Sequence, residues 1–276
     1  MVTVAVPYHL DERLPAFDLG VPVDHEVTVE FPAGDAWHRL SALYEQVARV
    51  VVSYRDRVPV VVAGDCTTSL GVLAGLQRGS HEVGIVWFDA HADFHTEDTT
   101  TSGYLGGLPL ALAAGVGTLT LPAALGLHPV AESRIVLVDA RDTDPAEQVL
   151  LDRTEVRRSG VVELDVTALP NGALYVHIDV DVCDPSDVPD LLYPAPRGCP
   201  PADLVAAVER VIATGETSAV GTGPIPGRSG AGQGQRDIAD LRDGAGKPQP
   251  SVGGLREQRA RPGTGCGHRA VAVLSA

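Results

Sequence analysis

The chain has 276 residues, 44% of them hydrophobic, 21% charged and 4% aromatic, a globular composition with apolar mass for one large core, which excludes disorder over most of its length. Lys and Arg number 21 against 36 Asp and Glu, and the net charge of -15 argues against nucleic acid and anionic membrane surfaces as partners. Four scattered cysteines (Cys66, Cys183, Cys199, Cys266) form no disulfide framework and no secretory leader pattern opens the sequence, so a cytoplasmic location is expected.

In chain order, short β-branched runs at Val2 to Val6, Pro59 to Ala63, Gly84 to Phe88, Arg134 to Val138 and Ala173 to Val182 predict strands. The later runs are nearly all apolar, as strands buried on both faces of a parallel sheet must be. Between them, Ala36 to Arg55 and Pro201 to Thr214 carry apolar residues at helical spacing, with Pro201 and Asp203 where helix starts favour proline and acids. Leu108 to Leu127 is uncharged over twenty residues, but its prolines and glycines point to a buried helix and a loop rather than a membrane span. The alternation predicts an α/β fold, a mostly parallel central sheet covered by helices on both faces. From Gly221 to His268 the chain holds 13 of its 30 glycines and almost no apolar periodicity. Residues 1–220 are therefore expected to form the main domain, with 221–276 an atypical Gly, Arg and Pro-rich remainder whose apolar end, Ala270 to Leu274, could dock as a strand.

Polar residues interrupt the apolar runs at particular places. One strand ends in Asp89-Ala90-His91-Ala92-Asp93, another in Asp179-Val180-Asp181 followed by Cys183 and Asp184, and a third runs into Gly64-Asp65-Cys66. All three clusters fall at carboxyl ends of strands, the edge where open α/β sheets bind ligands. Carboxylates this close raise one another's pKa unless a cation lies between them, and a pair of divalent metals resolves the repulsion. Asp179-x-Asp181-x-x-Asp184 also looks like the opening of a calcium loop, but Asp184 stands where that loop needs glycine.

These motifs, with Ser102-Gly103 and Arg141-Asp142-Thr143-Asp144-Pro145, resemble the arginase and agmatinase (ureohydrolase) family in order and spacing over roughly residues 55 to 220. The resemblance implies a single three-layer α/β/α domain and a binuclear metal centre, two Mn2+ ions, that hydrolyses a guanidino group. It implies that Asp89 and Asp179 bridge the metals, that Asp93 completes the shell of the first, and that His91 and Asp181 bind the second. It also implies proton transfer at Asp93, and substrate contacts at Asp142 and Asp144 for the amino-acid end and near Ser102 for the carboxylate. The expected partner is a small guanidino amino acid.

Three departures from the family pattern shape the expectation. Cys66 stands where the family has a histidine ligand of the first metal, and thiolate is a softer donor that favours zinc, iron or cobalt. Gly106 stands where arginases carry a proton-shuttling histidine, leaving His95 as the alternative proton donor, substrate contact or plain loop residue. The stretch after the last predicted helix offers Gly223-Pro224-Ile225 where the family has a guanidinium-binding glutamate. Cys66 with Gly106 resembles the branch of the family that cleaves Nω-hydroxy-L-arginine to L-ornithine and hydroxyurea in D-cycloserine biosynthesis, because a hydroxylated guanidine is less basic than arginine's and needs less help with proton delivery. The alternatives are hydrolysis of an unmodified guanidine with release of urea, and a metal-binding protein without turnover.

Overall fold

The computed structural model describes residues 1–15, 17–79 and 82–223. Ten strands appear in chain order: β1 (Val2–Val6), β2 (Tyr8–His9), β3 (Glu12–Arg13), β4 (His25–Glu26), β5 (Pro59–Ala63), β6 (Val83–Asp89), β7 (Ile135–Asp139), β8 (Arg157–Ser159), β9 (Ala173–Ile178) and β10 (Thr217–Thr222). Eight of them form one sheet in the order β4-β1-β5-β10-β9-β6-β7-β8, with every pairing parallel, while β2 and β3 make a small antiparallel hairpin.

The sheet lies between two apolar layers. On one face α1 (Ala36–Ser53) and α2 (Ser69–Gly79) pack on β5, β6 and β9 through Leu43, Val47, Leu70, Trp87 and Tyr175. On the other, α6 (Pro201–Ile212) turns Leu204, Ala207, Val208 and Val211 onto Val86, Val176 and Val220. The helix α1 starts at the N-cap Asp35, whose carboxylate accepts from His38 N, and α6 has proline in its first turn, where a missing N–H costs nothing. The uncharged stretch splits into α3 (Pro109–Ala113) and α4 (Thr120–Leu125), with Gly115 and Gly117 at positive φ between them; the break comes where left-handed backbone replaces helix. No helix among the described residues is long and apolar enough to cross a membrane.

Several element ends differ from the sequence reading, most by one or two residues, and two of the differences bear on the site. The run Ala173 to Val182 leaves the sheet at Ile178, and Val180–Val182 is a single 3-10 turn capped by the Asp179 carboxylate, which accepts from Asp181 N at 3.1 Å. A side chain that binds the next turn's backbone competes with the ladder, so the strand stops there. The strand β10 continues through Gly221 to Thr222, two residues past the change in composition, because β5 and β9 flank it and pair with it on both sides. A Cβ at Gly221 would overlap the Tyr175 hydroxyl, so this glycine serves close packing inside the sheet. Ala270 to Leu274 lies outside the described residues.

Candidate metal centre

The strands β5, β10, β9 and β6 are neighbours, so their carboxyl ends meet at one place. There β5 delivers Cys66, β6 delivers Asp89, β9 delivers Asp179, and Gly223 follows β10. A Cβ at Gly223 would come within 2.8 Å of Asp179 Oδ2 and 2.9 Å of Cys66 Sγ, so only glycine lets the chain leave the sheet beside these groups.

Turns, rather than strand pleating, aim the remaining side chains. Asp89 is the last residue of β6, and its Oδ1 accepts from His91 N at 2.7 Å, folding the chain back over the site. Asp93 adopts positive φ, a conformation that a non-glycine residue holds only where its surroundings impose it. Asp181 Oδ1 accepts from Ala90 N at 3.0 Å, which ties the β9 turn to the β6 turn. His91 Nδ1 lies 3.0 Å from Asp181 Oδ2 and 3.4 Å from Asp89 Oδ1.

The electrostatics are those of acids buried together. Burial, and then the Asp181 charge, push the Asp179 carboxyl up to about 7; burial and the Asp89 charge push Asp181 up to about 6. Asp89 is raised by burial, and Asp93 well above the ordinary range by burial and by Asp89. Burial opposes the charge on His91, but its bonds to Asp181 and Asp89 win and push it up to about 12. The Cys66 thiol is raised by burial and by Asp179, to which it donates at 3.1 Å. Burial and mutual repulsion raise the acids, and a cation among them would offset both.

The residues present fit a metal centre by their donor chemistry. Asp89, His91 and Asp181 each place one donor atom within 4.8 Å of the other two, as do Cys66, Asp89 and His177. Asp93 Oδ2 is buried and has no hydrogen-bond partner among the described residues. An acceptor left so is costly unless a cation or a proton meets it.

Above these donors opens a cleft of about 270 Å3. Cys66, His91, Asp93, His95, Ser102, Asp142, Asp144, Asp179 and Asp181 line it, and Asp89 is buried beside them, so the structure brings together all the residues expected to bind metal or substrate or to move protons, while Asp184 turns away to Ser186 and Arg197. His95 Nε2 lies 3.4 Å from Asp144 Oδ2 and 3.8 Å from Glu147 Oε2, and Thr101 donates to Asp144 at 3.2 Å. Asp142 is placed through its backbone, its N–H donating to Ala90 O at 2.9 Å, and Ser102 Oγ accepts from Tyr104 N at 3.2 Å.

Several residues at or beside the cleft had no role assigned from the sequence. Tyr104 takes the space beside Gly106, where a Cβ would overlap its ring, and it stacks on His9 with centroids 5.9 Å apart. Tyr193 reaches in from the loop after β9, 5.3 Å from the Tyr104 ring and 6.4 Å from His91. Arg141 anchors that loop by donating to the carbonyls of Asp181, Val182, Ala195 and Pro196. Glu147 is buried at the start of α5 (Pro145–Leu151) and accepts from Phe94 N at 2.9 Å. Its i+3 spacing from Asp144 was the available signal; the two tyrosines had none.

Known proteins resemble this chain in sequence and in fold. The Arginase family model matches residues 5–221. Among curated proteins, an arginase of Bacillus caldovelox is 32% identical over 59% of this chain and 58% of its own, so the match spans less than two thirds of that relative. The N(omega)-hydroxy-L-arginine amidinohydrolase of Streptomyces lavendulae is 31% identical over 73% of this chain and 74% of its own. Among solved structures, an arginase from Bacillus cereus superposes with a TM-score of 0.70 at 21% identity, covering 82% of this chain and 90% of that one, a likeness of fold. With a family model matching most of its length, the chain belongs to the arginase family.

Proposed function

We propose that this protein is a binuclear-metal amidinohydrolase that cleaves the C–N bond of Nω-hydroxy-L-arginine, yielding L-ornithine and hydroxyurea. The observation that carries the reading is the convergence of four buried carboxylates, His91 and Cys66 on one cleft, with more acid than the protein neutralises. Cys66, Asp89, His91, Asp93, Asp179 and Asp181 would hold the ions, since thiol, imidazole and carboxylate are all metal-ligating groups. Two Mn2+ ions are the family expectation, and the Cys66 thiolate draws the choice toward a softer ion. When bound, the ions supply Lewis acidity and a water of lowered pKa.

The chain's own residues supply the rest. Asp93 Oδ2, free of protein partners among the described residues, accepts the proton released as water adds to the guanidino carbon. Asp142 and Asp144 hold the substrate ammonium by charge-assisted bonds, and Ser102 faces its carboxylate. His95, between Asp144 and Glu147, is the imidazole within reach of the leaving amine's path. Tyr104 and Tyr193 wall the cleft mouth and exclude water. With Tyr104 filling the space at Gly106, no imidazole can project from that position, which favours a guanidine that is less basic than arginine's.

Similarity to arginases at 32% identity supports the second reading, hydrolysis of an unmodified guanidine with release of urea. Ornithine release from Nω-hydroxy-L-arginine, L-arginine and agmatine, measured on metal-loaded protein with Asp181→Ala as control, decides between them. Turnover of the hydroxylated substrate alone is expected. Equal turnover of L-arginine would move the assignment to an ordinary arginase, and turnover of none with metal retained would leave a metal-binding protein.

A further inference from the structure

One buried imidazole outside the motifs faces the floor of the same site. His177 lies on β9 two residues before Asp179, on the same face of the sheet. It is about 1% exposed, and its ring stacks on Trp87 with centroids 3.6 Å apart. Its Nδ1 lies 3.1 Å from the Tyr175 hydroxyl. Its Nε2 has no hydrogen-bond partner among the described residues. A buried ring nitrogen left open this way forfeits its hydration without return. Cys66, Asp89 and His177 bring one donor atom each within 4.8 Å of the other two.

We propose that His177 is a ligand of the metal centre, its Nε2 completing a Cys66, Asp89 and His177 donor set for a borderline divalent ion such as zinc or cobalt. The assignment rests on the metal-centre reading above. In the ligating form Nδ1–H donates to the Tyr175 oxygen, which fixes the tautomer and turns the Nε2 lone pair toward Cys66 and Asp89, while Trp87 holds the ring plane. Sulfur, nitrogen and oxygen together suit zinc or cobalt, whereas manganese prefers an all-oxygen or oxygen-rich shell. Trp87 Nε1 donates to Asp89 Oδ2 at 3.0 Å, so one indole orients two of the three donors. Tyr175 acts through His177 and is a positioning residue.

The test uses the full chain loaded with Zn2+, read by X-ray absorption at the zinc edge and by competition titration. With two zinc ions bound, imidazole scattering equivalent to one ring per zinc is expected, one ring from His91 and one from His177, with a sulfur at about 2.3 Å. In His177→Gln one ring's scattering is lost and affinity at one site falls at least about 100-fold, the upper end of what removing a mere outer partner costs. In Tyr175→Phe the scattering is kept and affinity falls about 10-fold, the effect of a lost orienting bond. Half a ring per zinc in the wild type, or a His177→Gln variant with unchanged affinity and scattering, overturns the assignment of His177 while leaving the metal centre standing. If His177→Gln does not fold, the wild-type scattering decides alone. Failure of the wild type to bind zinc or any other divalent ion overturns both readings.

Discussion

The Cys66 thiol donates to Asp179 Oδ2 at 3.1 Å, joining the ends of β5 and β9 although 113 residues separate the two in sequence. The contact exists because β10 inserts between the two strands and is followed by Gly223, which leaves room for both groups. Both side chains are buried, and burial raises the proton affinity of each, so metal binding here displaces protons from the pair.

Replacing Cys66 is therefore a test of its role as ligand. Cys66→Ala is expected to lower the bound metal from two equivalents toward one after dialysis, measured by elemental analysis, and to remove the sulfur-to-metal charge-transfer band of the cobalt form. Retention of both equivalents with unchanged affinity would assign Cys66 to packing alone.

Asp181→Asn removes the carboxylate 3.0 Å from His91 and one donor of the Asp89, His91 and Asp181 group. Loss of kcat/KM by about 1000-fold, roughly 4 kcal/mol of transition-state stabilisation, is expected, with far-UV circular dichroism unchanged. Activity within tenfold of wild type would place the chemistry elsewhere.

Gly106→Ala tests the relation between that glycine and Tyr104. The new methyl overlaps the tyrosine ring, which is the far end of a side chain and can swing toward the cleft. The expected result is a fall of about tenfold in kcat/KM for the hydroxylated substrate, about 1.4 kcal/mol, at unchanged thermal stability. An unchanged kinetic profile would show that Tyr104 does not shape the substrate's space.

Gly64→Ala is a test of fold rather than chemistry. A Cβ at Gly64 overlaps the carbonyl of Tyr8, a backbone atom held in place because Gly64 N–H donates to it at 3.0 Å. Overpacking of this kind costs about 1 to 3 kcal/mol, a fall of roughly 2 to 5 °C in Tm for a chain of this size. Gly79→Ala, with open space at its Cβ, is the control and is expected to leave Tm unchanged or slightly raised.

The pH dependence of the metal-free protein has a definite sign. Asp179 and Asp181 have folded pKa values near 7 and 6, above those of unfolded aspartate, so below about pH 4 their preference for the proton stabilises the fold in full and is lost as pH rises through 6 and 7. His91, pushed up to about 12, adds stability that is complete below its unfolded pKa of about 6.5 and declines above it. All three slopes point the same way. Tm of the metal-free protein should fall between pH 5 and pH 8, and the increment in Tm on adding metal should grow over the same range, as calorimetry can measure. A metal-free Tm that rises with pH would contradict the burial of this cluster.

Much of the fold was legible in the sequence. Val2–Val6 and Pro59–Ala63 form strands where the β-branched runs ended, and α1 and α6 begin at Ala36 and Pro201 as read. These features are local, since propensity, apolar period and capping act within a few residues. The ends of elements were less legible. Asp179 stops β9 by binding Asp181 N, and β10 persists through Gly221 because two neighbours pair with it, a stabilisation no composition reports.

For the site, the sequence by itself determined which acids, imidazole and thiol close which strands, because each sits directly after an apolar run. The tertiary structure decided how they meet: strand order brings β5, β10, β9 and β6 side by side, and turns at Asp89 and Asp179 aim donors that pleating alone would not. It also decided which apolar-looking positions are polar in effect. His177 reads in sequence as one residue of a buried strand, and only the packing of Trp87, Tyr175, Cys66 and Asp89 around it shows an open ring nitrogen at the floor of the site, since a side chain's partners are set by neighbours far away in the chain.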